Sequence, residues 1–247
     1  MSKAISIGLD ISHWNTIDPH RIRTAGFDFV ILKAGGADGG LYQDVKFEQM
    51  YNGCIREGLN VGCYFYMNAY DEHDAIEQAE FFASLCEGKK FDFPVFFDVE
   101  GEMLGADRLD EIVSTACRRM EQLGFFVGVY ASASVFRNKL APIKERFACW
   151  TACWVDRADE PPFDCGLWQF TSHWDIDGKR FDANYCYVDY PEEIKNKRLN
   201  GYTFNINDLI KAMKAISNGE YKIEYDANSD GYLDTKDLVK IMKELSK

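Results

Sequence analysis

The 247-residue chain carries 28 Lys and Arg against 40 Asp and Glu, a formal charge of −12, with 47% hydrophobic and 15% aromatic residues. That composition supports a packed core and excludes global disorder. The acidic balance excludes nucleic acid as the main partner, because phosphate binding needs clustered cations, and no apolar run approaches the ~20 residues of a membrane helix.

Strand-like and helix-like runs alternate from residue 5 to about residue 184. Strands are expected over 5–11, 27–34, 60–67, 94–99, 125–131, 147–155, 167–171 and 180–184. Most are rich in Val, Ile, Phe, Tyr and Cys without strict alternation, as in strands buried on both faces. Helices are expected over 43–57, 72–86, 107–123 and 132–140. Asp71 or Asp74 and Asp107 stand where N-caps belong, and Gly58, Gly88 and Gly124 where C-cap glycines belong. This alternation predicts a parallel α/β fold, and eight strands closing on themselves give a barrel. The helices stop after residue 155, so the barrel is expected to be irregular.

Charge divides the chain. Residues 191–247 hold ten cationic and ten acidic side chains, so the whole −12 belongs to residues 1–190. Two modules are expected. The eight cysteines, Cys54, Cys63, Cys86, Cys117, Cys149, Cys153, Cys165 and Cys186, are too dilute for a disulfide scaffold and read as small buried hydrophobes. None has C-x2-C spacing, and His13, His20, His73 and His173 are scattered away from them, so a zinc site is not expected.

In an α/β barrel the active site lies at the C-terminal strand ends. Asp10 ends the first strand, Asp98 and Glu100 the fourth and Asp182 the last. On a strand, residues i and i+2 share a face about 6.6–6.8 Å apart, so Asp98 and Glu100 point into one cavity. Crowded carboxylates in a partly dry site raise the pKa of at least one. A proton-donating acid beside an ionised carboxylate is what glycosidic cleavage requires. Tyr64, Tyr66, Tyr130, Trp154 and Trp168 cluster at the same strand ends, where rings stack on sugar C–H faces.

The ordered motifs GLDISHWN, YFYMNA, FFDVEG, VYASASVF, CWVDRA, LWQFTS and FDANY over about residues 4–190 resemble the family 25 glycoside hydrolases. These are lysozymes (N-acetylmuramidases) that cut the β-1,4 bond between N-acetylmuramic acid and N-acetylglucosamine in peptidoglycan. The resemblance implies a flattened barrel of five strand–helix units plus three strands. It makes Glu100 the general acid and Asp98 the nucleophile or the carboxylate that orients a substrate N-acetyl group. Asp10 and Asp182 would shape the site, and no cofactor is needed for hydrolysis. Phe65 stands where many members have His, Asn15 where Gln is frequent, and Trp174 where Gly is common; all three are expected near the rim.

The tail contains DANSDGYLDTKD, the D-x-N-x-D-G-x5-D pattern of a calcium loop. Asp226, Asn228, Asp230, the Tyr232 carbonyl, Asp234 and Asp237 would supply the oxygens for Ca2+. DLIKAMKAIS at 208–217 repeats as DLVKIMKELS at 237–246, and Leu209, Met213, Ile216 and Leu238, Met242, Leu245 have amphipathic helical spacing. Two such loop–helix units resemble a dockerin, which implies a cohesin domain of a scaffolding protein as partner, met in part through Thr235 and Lys236. The first unit lacks the ligand pattern, so one calcium is expected.

The expected organisation is a lysozyme-like barrel over 1–192 and a small all-α calcium-loop domain over 198–247, in a monomer without a membrane span. A barrel that binds glycan without cutting it is the alternative, and a calcium-regulated enzyme a third. MSKAISIGLD has no apolar stretch long enough for a signal peptide. Peptidoglycan and cohesins nevertheless place the protein outside the cytoplasm, secreted or at the cell wall.

Overall fold

The computed structural model describes residues 3–154, 160–228 and 230–246. The first half alternates: β1 (Ser6–Ile11), α1 (Pro19–Thr24), β2 (Phe29–Gly36), a two-residue β3 (Tyr42–Gln43), α2 (Phe47–Arg56), β4 (Asn60–Tyr66) and α3 (Glu72–Cys86). Then come β5 (Val95–Asp98), α4 (Leu109–Gln122), β6 (Val127–Ser132), α5 (Ala133–Asn138), α6 (Ala141–Lys144), β7 (Ala148–Ala152), β8 (Leu167–Ile176) and β9 (Lys179–Cys186). Three helices close the chain: α7 (Tyr190–Lys197), α8 (Ile206–Asn218) and α9 (Thr235–Leu245).

Strands β1, β2, β4, β5, β6, β7, β8 and β9 hydrogen-bond in that order, and β9 returns antiparallel to β1, so the barrel is closed and has no free edge there. Steps from β1 to β8 are parallel, and the β8–β9 hairpin is antiparallel.

Local chemistry explains the helices. Asp71 caps α3 by accepting from the Asp74 amide at 2.9 Å, and Ala75, Ala79, Phe82 and Cys86 form its buried stripe. The N-cap position of α4 is Arg108, in the left-handed region at φ 58°, so the cap expected at Asp107 falls one residue later and has no side-chain acceptor. The helix expected over 132–140 is broken into α5 and α6, with Pro142 in the first turn of α6. The short α1 had no strong periodic signal. All eight cysteines are free thiols and seven are buried. The expected strand end at 155 lies outside the described residues.

Two cores result. Leu9, Leu32, Val61, Phe65, Phe97 and Val129 face outward and pack under the helices, while Phe29, Ile31, Phe93, Phe96, Trp150 and Leu167 fill the barrel. Tyr190 and Ile194 of α7 belong to that inner cluster, so α7 closes the barrel floor and the boundary expected at 192 falls inside it.

Asn200 completes the floor. It is fully buried; its side chain donates to the Phe93 carbonyl at 2.8 Å and accepts from the Phe126 amide at 2.7 Å. Its own amide and carbonyl bond to Gly124 and Phe91. The barrel therefore reaches to about residue 200, and a fragment ending at 190 lacks its floor. Asn200→Ala leaves a buried carbonyl and a buried amide unpaired, and is predicted to lower unfolding free energy by about 2–4 kcal/mol in denaturant titration. A loss under about 0.5 kcal/mol would refute this role.

Candidate functional site

Strand alternation decides which side chains reach the mouth. Phe29, Ile31, Phe96, Trp150 and Leu167 point inward, so every second residue toward the C-terminal ends does too. This brings Asp10, Lys33, Tyr64, Tyr66, Asp98, Tyr130, Gln169, Asp182 and Asn184 to one interior. Glu100 lies two residues beyond Asp98. The ladder continues through the Val99 amide to the Tyr130 carbonyl at 2.9 Å, and Glu100 is extended at φ −150°, so it keeps the inward phase of Asp98.

Gly101 then turns the chain at φ 65° into a 3-10 turn over Gly101–Gly105. A side chain at this position would collide with the Tyr66 hydroxyl. Only glycine fits this conformation and this contact together.

Asp10 and Asp182 are register partners across β1 and β9. Asp10 is 8% exposed, and its Oδ2 accepts from Gln169 Nε2 at 2.9 Å and from Asn184 Nδ2 at 2.8 Å. Burial first, and the Asp182 charge second, push the Asp10 carboxyl up to about 7, against the two amide donors. Asp182 is also raised, mainly by burial.

Asp98 is buried, and its Oδ1 has no hydrogen-bond partner among the described residues. Burial and the neighbouring Glu100 hold its carboxyl well above the carboxylate range, with Lys33 opposing. Glu100 is exposed as a residue, yet partial desolvation at the mouth raises its carboxyl, Lys33 lowers it and Asp182 raises it. Lys33 places a cation at the mouth, held over the rings of Tyr66 at 5.2 Å and Tyr42 at 5.6 Å.

Four of the five expected aromatics reach this interior. Tyr64 stands edge-on to Trp150, and Tyr66 lies beside Gly101. The Tyr130 hydroxyl and the Trp154 indole both donate to Gln169 Oε1, at 3.0 and 3.1 Å, and Trp154 is 58% exposed at the rim. Trp168 does not join them. It is 2% exposed, packs in the outer core and donates to the Cys153 carbonyl at 3.0 Å, because it has the opposite phase to Gln169. Phe65 likewise lies behind the barrel wall, stacked on Phe82, and not at the rim. Lys33, Gln169 and Asn184 escaped the sequence reading. Lys33 was signalled as the one charge inside FVILKAGG, and Asn184 by its i+2 spacing from Asp182.

In the tail, Ala212 of α8 and Ile241 of α9 pack in one core with Phe204 and Tyr225, with Leu209 and Leu238 beside them, and Ala215 is also buried. Met213 and Met242, expected on the inner face, are about half exposed, because the small alanines set the seam. Both helices begin with the same capping box, Asn205–Asp208 and Asp234–Asp237. In the second loop, Asp237 is fully buried and accepts from the Asn228 and Asp234 amides. Asp226 accepts from the Asp230 and Gly231 amides, and Asp230 from the Tyr232 amide. The donor set is all oxygen, as a hard cation requires. Among the described residues, the metal-type side chains already within 4.8 Å of one another are Asp71, His73 and Asp74, at the start of α3; the loop acids are not drawn to that spacing.

A closed β/α barrel with paired carboxylates at its C-terminal mouth is the architecture of a glycosidase. The model of glycosyl hydrolases family 25 matches residues 9–179, and the chain belongs to that family. It is 27% identical over 149 residues to the autolytic lysozyme of Clostridium acetobutylicum, covering 59% of this chain and 44% of that one, so it spans less than half that relative's length. Its fold is similar to the CTP1L endolysin, with TM-score 0.66 and 20% identity over 87% of this chain and 79% of the endolysin. It is also similar to the spore cortex lytic enzyme SleM of Clostridium perfringens, with TM-score 0.66 and 21% identity over 74% and 67%. Below a quarter identity, these likenesses establish the fold.

The acid cluster has a consequence for stability. Folded Asp10 holds its proton more tightly than the unfolded chain, so its contribution is present at low pH and is lost as pH rises from 3.8 toward about 7. Asp98, Glu100 and Asp182 act with the same sign. Asp10→Asn keeps an acceptor for the two amides and removes the titration. Thermal unfolding between about pH 4 and 8 is predicted to show a falling Tm in the wild type and a flatter profile in the variant. A wild type that gains stability across that interval would contradict the crowding.

Proposed function

We propose that the barrel hydrolyses the β-1,4 bond between N-acetylmuramic acid and N-acetylglucosamine, with Glu100 as general acid. The observation that carries this reading is the in-phase pair at the mouth: a buried Asp98 and a more accessible Glu100, both raised above the ordinary carboxylate range. A raised Glu100 still holds its proton where an ordinary glutamate has lost it, and its accessible position suits delivery to the leaving oxygen. Water then takes the place of the departing sugar.

Asp98 has two roles open to it: direct attack on the anomeric carbon, or orientation of the substrate N-acetyl group. The Oδ1 without a partner among the described residues supports the second, since a buried acceptor suits an amide N–H brought by the substrate. The acidic mouth, Tyr64, Tyr66, Tyr130 and the rim indole of Trp154 would hold the glycan.

Glu100→Gln is predicted to slow clearing of bacterial walls by about 10²–10⁴-fold without lowering Tm. Wild-type activity is predicted to fall on the alkaline side above the ordinary glutamate range, as Glu100 deprotonates. Equal clearing by wild type and variant would support a glycan-binding protein instead.

We propose further that the tail holds one Ca2+ and attaches the enzyme to a cohesin of an extracellular scaffold, at or outside the cell wall. The two halves of the repeat differ in their source of positive charge. In the first, Arg198 lies 3.7 Å from Asp208, over the Phe204 ring at 4.4 Å, and bonds to the Glu224 carbonyl at 3.2 Å. In the second, Asp237 is more deeply buried, and no ion pair to it is found among the described residues. A guanidinium thus serves the first repeat where the second takes the metal. Calorimetry is predicted to find one Ca2+ per chain. Chelation should loosen the tail while wall clearing stays within about twofold. Two equivalents, or a large fall in clearing, would refute this division.

A further inference from the structure

Gln169 is 2% exposed and joins the rim of the site to its floor. Its Oε1 accepts from the Tyr130 hydroxyl at 3.0 Å and the Trp154 indole at 3.1 Å, and its Nε2 donates to Asp10 Oδ2 at 2.9 Å. An indole N–H only donates, so the amide has one satisfactory orientation. Asn184 repeats the device: it accepts from Trp150 Nε1 at 2.7 Å and donates to the same Asp10 oxygen at 2.8 Å. Two tryptophans therefore fix two amides, and both aim N–H groups at Oδ2 of Asp10. That oxygen has no room for a proton of its own.

We propose that Gln169 is a positioning residue for the hydrolysis set out above: held by Tyr130 and Trp154, it fixes Oδ2 of Asp10 as a hydrogen-bond acceptor, so that a proton shared by the Asp10–Asp182 pair lies on Oδ1 of Asp10 or on Asp182. The proposal rests on the muramidase reading for its kinetic consequences but not for its protonation consequences. Among the described residues, the groups facing this pair are Tyr64 from β4, Asp98 from β5, Tyr130 from β6 and His173 from β8, with Lys33 and Glu100 across the mouth. Lys33 from β2 acts on Asp98 and Glu100, and among the described residues the two amides are the groups that lower the Asp10 carboxyl. A proton held by the pair removes one negative charge from the mouth beside Glu100. Without the Gln169 donor the Asp10 carboxyl takes up its proton more readily and its Oδ2 is no longer held as an acceptor.

Two substitutions test it. Gln169→Met keeps the volume and removes the donor. Its kcat/KM is predicted to fall about 10–100-fold, with the acid limb of the pH profile moved to higher pH. Gln169→Glu supplies, when protonated, one donor and one acceptor oxygen in the same place. Its activity is predicted to recover toward the wild type as pH falls and to collapse as the introduced carboxyl ionises. A packing role would give both variants the wild-type pH shape, and that result overturns the proposal, as does a wild-type kcat/KM in Gln169→Met. Carboxyl carbon NMR of aspartate-labelled protein reads the same assignment without turnover. The Asp10 midpoint is predicted to rise in Gln169→Met, and an unmoved midpoint refutes the proposal. Should the wild type fail to cut walls, the muramidase reading fails alone and the NMR titration still decides the role of Gln169. If Gln169→Met does not fold, Gln169→Glu at low pH carries the test.

Discussion

Like charges forced into one dry mouth are the constraint on which this structure turns. Closing eight strands with a period of two sends Asp10, Asp98 and Asp182 into the same interior, and Glu100 follows because β5 continues extended past its last ladder pair. Coulomb repulsion between carboxylates in such surroundings is severe, and proton uptake relieves it. The surrounding residues distribute that relief unevenly. Gln169 and Asn184 support Asp10 as an acceptor, Lys33 counters the Asp98–Glu100 pair, and among the described residues Asp98 Oδ1 has no donor. Environments that push neighbouring carboxyls apart are how a single fold assigns acid and base roles.

Much of this was legible in the chain itself. Alternating strand and helix patterns indicated a barrel, and the acids at strand ends stood out because charge has no other reason to end an apolar run such as PVFF. The errors share one cause. Trp168 and Phe65 were assigned to the site by proximity to it in sequence, but each is adjacent to an inward residue, and adjacent strand residues face opposite sides. The same rule, applied from Asp182 to Asn184, identifies a member of the site that was passed over. Gln169 was less accessible, because nothing in sequence separates an amide that orients a carboxylate from one that satisfies the core.

The floor and the tail show what local patterns do not carry. Asn200 bonds across more than 70 positions to Phe126 and more than 100 to Phe93, a partnership no local window contains. In the tail, the repeat was visible but its asymmetry was not. Arg198 precedes the repeated segment, and only the fold brings its guanidinium to Asp208. The same capping box thus receives a protein cation in one half and is proposed to receive a metal ion in the other.

The proposed muramidase is tested most directly by the chemistry of the ends it makes. Purified peptidoglycan digested with the full chain and then reduced with borohydride is predicted to yield new muramitol from N-acetylmuramic acid ends. New ends on N-acetylglucosamine, or none at all, would contradict the account.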